Sequence, residues 1–235
     1  MSYSEGCIIC GKELVYTQGP DLKQCYYCRR EIQSNVNCPE GHFICDSCHA
    51  SSAFDLIEVY CSHSDSTNAI DMAVHLMKSN KISMHGPEHH YLVPAVLLAA
   101  FINLNKDGNY NKSGTLRVAK LRAEKVLGGF CGTHGSCGAA IGTGIFMSII
   151  TGSTPLAKKE WQLSNALTAK SLLAIAEKGG PRCCKRDSFI AISETLVFLS
   201  KHFDMDLPVG EIQCVFSNRN KQCKFEYCNY FPGSK

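Results

Sequence analysis

The sequence lacks an apolar run long enough to cross a lipid bilayer. Its longest apolar stretches, Tyr91 to Leu104 and Ile145 to Ile150, fall short of the roughly 20 residues that a membrane-spanning helix requires. It also lacks a positively charged N-terminal segment followed by an apolar one, because the chain begins MSYSEGCIIC, so no signal peptide is expected. These absences predict a soluble, cytoplasmic protein with no membrane-bound part.

A strong excess of one charge is also absent. The 24 lysines and arginines against 21 aspartates and glutamates leave a net charge of +3, without the basic stripe of a dedicated nucleic-acid-binding domain. Binding of nucleic acid is therefore not expected. Hydrophobic residues make up 45% of the 235 residues, which is enough for the core of one ordinary domain beside a small module.

Cysteine is abundant, with 15 residues. The cytosol keeps thiols reduced, so a cysteine-rich cytosolic protein more often binds metal than forms disulfides. Eight cysteines lie between Cys7 and Cys61, none lies between 62 and 130, and seven lie between Cys131 and Cys228. This distribution predicts two parts: a zinc-binding module over residues 1–63 and a helical cysteine-rich domain over residues 64–235.

Four pairs of zinc-type ligands follow one another in the N-terminal part. A Cys-x2-Cys pair forms a tight knuckle whose thiolates point at one ion, and four pairs supply two tetrahedral zinc sites. Short segments such as residues 13–16 fit hairpin strands between the knuckles. Because so small a module has little core, metal binding would supply the free energy that folds it. The pairs are Cys7 and Cys10, Cys25 and Cys28, Cys38 and His42, and Cys45 and Cys48.

The stretch CPEGHFICDSCH in this module resembles the middle of RING-type and other treble-clef zinc fingers. The resemblance implies interleaved pairing, with the second and fourth pairs on one ion and the first and third on the other. Sequential pairing is the alternative, and Cys61 and His63 could also replace a pair. A module of this kind is usually structural or a surface for a protein partner.

The rest of the chain shows helical periodicity. A cap at residues 66–68 precedes a helix with Ile70, Val74 and Met77 on one face, and another helix starts at Pro87 and runs to Leu104, where Pro94 would kink or split it. Further helices are predicted from 115 to 127, between 158 and 178, and between 187 and 202, and a strand from 212 to 216. The fold class is therefore mostly α, a helical domain preceded by a small treble-clef-like zinc-binding module with short β-hairpins.

Two motifs in the helical domain carry cysteines on turns before helices. In FCGTHGSCGAAIGTG, Cys131, His134 and Cys137 precede a helix of small residues, whose N-terminus would stabilise a thiolate. The alternative is a small-residue packing face with an inert buried cysteine.

In GGPRCCKRDS, Cys183 and Cys184 lie between helices among cations that would lower thiol pKa values and attract anions. A solvated basic loop is the alternative. The cations are Arg182, Lys185 and Arg186.

Two further sets complete the candidates. Cys214, Cys223 and Cys228 near the C-terminus lack a Cys-x2-Cys pair, so zinc-knuckle geometry fits them poorly. The segment MHGPEHHYLVP places His85, Glu88 and His89 at a helix start, where they could act as ligands or as acid and base groups. A capped, solvated helix start is the alternative interpretation.

On these motifs, the helical domain resembles an uncharacterised family of anaerobic archaea and bacteria, some of whose members are fused to methyltransferases. Cys137 to about Leu199 also resembles the α-domain of iron–sulfur L-serine dehydratases and cysteine desulfidases. That resemblance implies a [4Fe–4S] cluster with three cysteine ligands and one open iron. Cys137 and one or both of Cys183 and Cys184 match ligand positions, although an adjacent pair departs from the family's spacing. Cys131 or a C-terminal cysteine would be the third ligand.

The predicted function is an iron–sulfur-dependent enzyme of sulfur or hydroxy/thiol lyase chemistry, with two structural zinc ions. His134 or His89 would remove a proton, and Arg182 or Arg186 would hold the carboxylate of a small anionic thiol or hydroxy substrate. Two other classes stay open: a non-enzymatic module that binds a protein or RNA partner, and a thiol-based sulfur carrier.

Overall fold

The computed structural model describes residues 6–233 and confirms that the fold is mostly α. None of the described helices is long and apolar enough to cross a membrane. Two short 3-10 turns, Ser217–Arg219 and Phe225–Tyr227, follow the last helix. The elements are β1 Val15–Gln24, β2 Glu31–Asn37, α1 Asp46–Ala50, α2 Ala53–His63, α3 Ala69–Met77, α4 Glu88–Leu104, α5 Lys112–Ala123, α6 Phe130–Thr133, α7 Gly138–Thr151, α8 Lys159–Glu177 and α9 Cys184–Phe203.

The N-terminal module contains the predicted hairpin. Strands β1 and β2 pair antiparallel, from Val15 opposite Asn37 to Gln24 opposite Glu31, with an irregularity between Tyr16 and Asp21. Most of β1 is exposed, so the hairpin buries little apolar surface. A two-stranded hairpin is only marginally stable by itself, and the fold of this module must therefore depend on its ligand knuckles.

Helix α4 is the centre of the helical core. It is buried on almost every side and contacts α2, α3, α5, α7 and α9. Pro94 lies inside it, but the helix continues from Glu88 to Leu104, so of the two predicted effects of Pro94, a kink or a split, the split does not occur. The packing of five neighbouring helices holds α4 together although Pro94 lacks the N–H for one helical hydrogen bond.

The small residues of α7 allow close approach to α4. A Cβ atom on Gly142 would lie 2.8 Å from Pro94 Cδ and 3.1 Å from the carbonyl oxygen of His90. A larger side chain would push the two helices apart. The predicted small-residue packing face is therefore confirmed for this part of α7.

Three of the predicted elements differ in the structure: one strand is missing and two helices have other bounds. Residues 212–216 form no strand, because one backbone hydrogen bond, from Cys214 N–H to Tyr230 O (2.6 Å), joins two segments without a ladder. Helix α5 spans Lys112–Ala123 rather than 115–127, since the side chain of Asn111 accepts from the N–H of Gly114 and caps an earlier start. Helix α9 begins at Cys184, three residues before the predicted start.

The module and the helical core share an aromatic stack. His75 on α3 stacks between Tyr26 of a ligand knuckle and Tyr60 of α2, with ring centroids 3.8 and 4.5 Å apart. Helix α2 precedes the predicted domain boundary at residues 63 and 64, yet it contacts α4 and α5, and its Leu56 and Ile57 are buried in the core. The boundary itself stays a prediction.

Candidate metal centres and a cysteine-lined cleft

The eight N-terminal ligands form two sets that could each hold one metal ion. Within each set, the ligand atoms all lie within 4.8 Å of one another. Cys10 Sγ lies 3.5 Å from Cys38 Sγ, and Cys28 Sγ lies 3.7 Å from Cys45 Sγ. A tetrahedral zinc ion with Zn–S bonds of about 2.3 Å holds its sulfurs about 3.8 Å apart, so both sets have the size of a single ion. The sets are Cys7, Cys10, Cys38 and His42, and Cys25, Cys28, Cys45 and Cys48.

This arrangement is the interleaved pairing that the treble-clef resemblance implies, and sequential pairing is wrong. Cys61 and His63 replace neither pair. Cys61 is fully buried in the helical core, where burial raises the pKa of its thiol to about 12. The ring of His63 bonds Val59 O and the Ser62 hydroxyl within α2.

The all-cysteine set is the more buried of the two. Arg30 donates from Nε to Cys28 Sγ (3.4 Å) and from its terminal nitrogen to Cys45 Sγ (3.9 Å). Burial acts to raise the pKa of Cys28, but the hydrogen bonds from Arg30 and from neighbouring groups outweigh it and lower the pKa to about 6. Arg30 therefore stabilises thiolate at this set, which is the form that binds a metal.

Three cysteines of the helical domain converge on one cleft of about 340 Å³. Cys131 comes from the short helix α6, Cys137 is the N-cap of α7, and Cys184 is the first residue of α9. His85, Arg182 and Asp187 line the same cleft. The structure thus assembles three thiols with a cation, a carboxylate and an imidazole from four separate parts of the chain.

The first turn of α9 separates the adjacent pair of cysteines. Cys184, the first helical residue, lines the cleft, whereas Cys183, the extended N-cap, lines a second pocket. Asp187 lies with Cys184 at the cleft and Arg186 lies with Cys183 at the second pocket, each three residues after its cysteine. Asp187 is a cleft residue that is absent from the candidates predicted from the sequence, although its spacing of three residues from Cys184 was a usable signal.

The thiol pKa values of this segment are not lowered overall as the sequence suggested, because burial outweighs the effect of Arg182 on Cys184 and of Arg186 on Cys183. Burial and the negative charge of Asp187 raise the pKa of Cys137 to about 11 and contribute to raising that of Cys184 to about 12. Backbone N–H groups oppose the shift without reversing it; Ala139 and Ala140 donate to Cys137 and Gly86 to Cys184. Without a bound cation these thiols are protonated.

Neither Lys185 nor Arg186 belongs to a solvated loop. Lys185 is fully buried, and its Nζ donates to Met77 O (3.0 Å) and Ile82 O (3.1 Å). Arg186 is buried against Asp187, with its Nε 2.9 Å from Asp187 Oδ1. Of the three predicted cations, Arg182 is the one that is exposed and lines the cleft.

The histidines beside the cleft have free ring nitrogens. His85 Nε2 donates to Gln222 Oε1 (3.1 Å) and His89 Nε2 to Ser83 O (3.0 Å), which leaves the buried Nδ1 of each ring without a partner. Burial, reinforced by the charge of Lys185, lowers the pKa of His89 well below its usual value. Both rings line the cleft, each with an Nδ1 that has no hydrogen-bond partner. Glu88 instead accepts the Ser83 N–H (2.6 Å).

The remaining candidates lie elsewhere. His134 is exposed; its ring packs against Phe130 and its Nδ1 lies 2.7 Å from Thr133 Oγ1, outside the cleft lining. The second pocket contains the other four cysteines of the helical domain, which are Cys183, Cys214, Cys223 and Cys228.

Comparison with curated proteins gave no match, and comparison with solved structures gave none either. A model of a family of unknown function (DUF5714) matches residues 57–231, which include α3 to α9, the cleft and the second pocket. Because the match covers well over half of the sequence, the chain belongs to this family of unknown function.

Proposed function

We propose that the protein is an iron–sulfur-dependent enzyme that eliminates a hydroxyl or thiol group from a small anionic substrate in the cleft. The observation that carries this proposal is the convergence of Cys131, Cys137 and Cys184 on one cleft that also contains free histidine nitrogens. Three thiolates would leave one iron of a [4Fe–4S] cluster without a protein ligand, facing the space that a substrate would occupy.

The chemistry of the three cysteines supports a metal occupant. Raised pKa values make Cys137 and Cys184 poor nucleophiles as free thiols, which argues against a sulfur carrier, whereas coordination to a metal deprotonates a thiol. In the described part of the chain, the two N-terminal sets are the ones whose ligand atoms meet the 4.8 Å spacing of a single ion. The three cleft cysteines do not form such a set, and a cluster, in which each cysteine binds a different iron, does not require them to.

When bound, the cluster would supply a Lewis acid that polarises the leaving hydroxyl or thiol. The exposed guanidinium of Arg182 would hold the substrate carboxylate. His85 Nδ1 would accept the proton from the carbon next to that carboxylate, while the leaving group departs from the neighbouring carbon with its bonding electrons and a double bond forms between the two carbons. Gln222 keeps the other proton of His85 on Nε2, so Nδ1 stays available as the base.

The test is the metal content of protein purified without oxygen. Wild-type protein should be brown and contain iron and acid-labile sulfide beside about two zinc ions. Cys137→Ala should lose the iron of the cleft and keep its zinc. Cys61→Ala is the matched control, because Cys61 is buried but belongs to no ligand set. A colourless wild-type protein, or loss of zinc rather than iron in Cys137→Ala, would refute the proposal.

Activity can be probed with L-serine and L-cysteine, the hydroxy and thiol members of the expected substrate class. Arg182→Ala should keep the iron and bind either amino acid at least tenfold more weakly, because a carboxylate contact of this type contributes about 1.5–3 kcal/mol. His85→Gln should keep both iron and binding but lose turnover. Full turnover in His85→Gln would remove His85 from the mechanism.

A further inference from the structure

We propose that Cys183, Cys214, Cys223 and Cys228 hold a second iron–sulfur cluster, separate from the cleft and without an open position. All four cysteines line one pocket. Cys183 is the N-cap of α9, and the other three come from the segment after α9, where the described chain has two 3-10 turns and no longer helix. Four thiolates complete the ligands of a cluster and leave no iron for a substrate.

The backbone around these cysteines is arranged to stabilise thiolates. Phe216 N–H donates to Cys214 Sγ (3.4 Å) and Phe225 N–H donates to Cys223 Sγ (3.4 Å), in both cases from two residues further along. Asn220 Nδ2 lies 3.6 Å from Cys183 Sγ. Hydrogen bonds to cysteine sulfur fix the orientation of a ligand and tune an iron–sulfur cluster, and an inert thiol does not require them.

The charge around the pocket favours an anionic occupant. The described residues that line it include Lys224, and Arg186 whose guanidinium is paired with Asp187, but no carboxylate, whereas Asp187 itself lines the cleft. The other walls include the aromatic rings of Phe189, Phe216 and Tyr230. A four-thiolate cluster carries net negative charge, and an apolar wall with nearby cations suits such a group.

The spacing of the sulfurs distinguishes a cluster from a single zinc ion. The same chain builds two zinc-sized sets at its N-terminus, with sulfurs 3.5 to 3.7 Å apart. Among residues 6–233, only those two sets have all their ligand atoms within 4.8 Å of one another. The four cysteines of the second pocket are therefore spread more widely than the ligands of one ion. A cubane cluster does not require a single-ion spacing, because each thiolate binds a different corner.

The second centre also explains how a segment with little core of its own is held in place. Tyr230 packs against Phe189 of α9, with ring centroids 5.6 Å apart, and Cys214 N–H bonds Tyr230 O (2.6 Å) across the segment. Gln222, next to Cys223, lines the pocket and accepts from His85 of the cleft. The cluster would therefore fix the loop that orients His85.

The experiment compares two neighbouring cysteines in the intact 235-residue chain, purified without oxygen. Wild type should contain about eight irons and about two zinc ions. Cys183→Ala and Cys184→Ala should each halve the iron and keep the zinc, but they should remove different clusters. The electron paramagnetic resonance (EPR) spectrum of the dithionite-reduced wild type should show two signals of equal intensity, and each variant should retain a different one.

Cys228→Ser changes another cysteine of the second pocket. Like Cys183→Ala, it should retain the EPR signal of the cleft, which is the signal that L-cysteine perturbs. If the wild type gives one signal with about four irons and about three zinc ions, and Cys228→Ser loses zinc, the second site is a zinc site and the inference is wrong. Unchanged iron in Cys228→Ser would also overturn it. Cys137→Ala tests the cleft independently, so failure of either proposal leaves the other measurable.

Discussion

Lys185 provides a sharp test of the structure because its sequence context suggested a solvated cation. Replacing Lys185 by alanine should lower the free energy of unfolding by about 3 kcal/mol. The change leaves the buried carbonyls of Met77 and Ile82 without their donor, at about 1.5 kcal/mol each, and removes three buried methylenes at about 0.8 kcal/mol each. It also removes a cation over the ring of Phe216, 4.5 Å from the centroid, at about 1 kcal/mol.

One effect opposes these losses. Burial lowers the pKa of Lys185 to about 8 from its ordinary 10.5, so holding the charged ammonium in the core costs about 3 kcal/mol at neutral pH. Alanine relieves this penalty, and the net loss is therefore about half of the gross loss. Lys185→Met is the matched control, because it keeps the aliphatic stem and removes the charge, and its unfolding free energy should stay within about 1 kcal/mol of wild type.

The assay is urea unfolding at neutral pH without oxygen, followed by the circular dichroism of the helices. Metal content is measured in parallel, so that loss of stability is not confused with loss of a cofactor. If Lys185→Ala were as stable as wild type and instead bound L-serine more weakly, Lys185 would be an exposed anion-binding residue. That result would refute the argument from burial.

Two further predictions concern the zinc module and its contact with the helical core. Cys45→Ser should lose one of about two zinc ions and lower the melting temperature, since metal binding and folding of the module are coupled; an unchanged zinc content, as expected for Cys61→Ser, would contradict the assigned ligand set. Burial, with the charges of Arg29 and Lys78, lowers the pKa of His75 to about 4, below its unfolded value of about 6.5. The unfolded state therefore binds more protons between these values, and the stabilisation by His75 is complete above pH 6.5 and is lost as the pH falls towards 4. Over that window wild type should lose up to about 3 kcal/mol relative to His75→Phe, and parallel pH profiles of the two proteins would show that His75 is not buried as a neutral ring.

The sequence by itself determined the features that depend on local spacing. A Cys-x2-Cys pair places two thiolates on one knuckle whatever surrounds it, so the eight N-terminal ligands could be identified, and the treble-clef resemblance implied their interleaving. Helix periodicity and caps are also local. Asn68 accepts from the N–H groups of Ile70 and Asp71 at the start of α3, and Cys137 stands at the start of α7 as predicted.

The tertiary structure alone decided which distant groups meet. Cys183 and Cys184 are adjacent in sequence, yet they face different pockets because the direction of a side chain depends on what packs on each side of α9. His134, an attractive base beside Cys131 and Cys137, remains outside the cleft, while His85 enters it from a different part of the chain. The burial of Lys185 likewise depends on carbonyls more than a hundred residues earlier, and no spacing within its own segment encodes them.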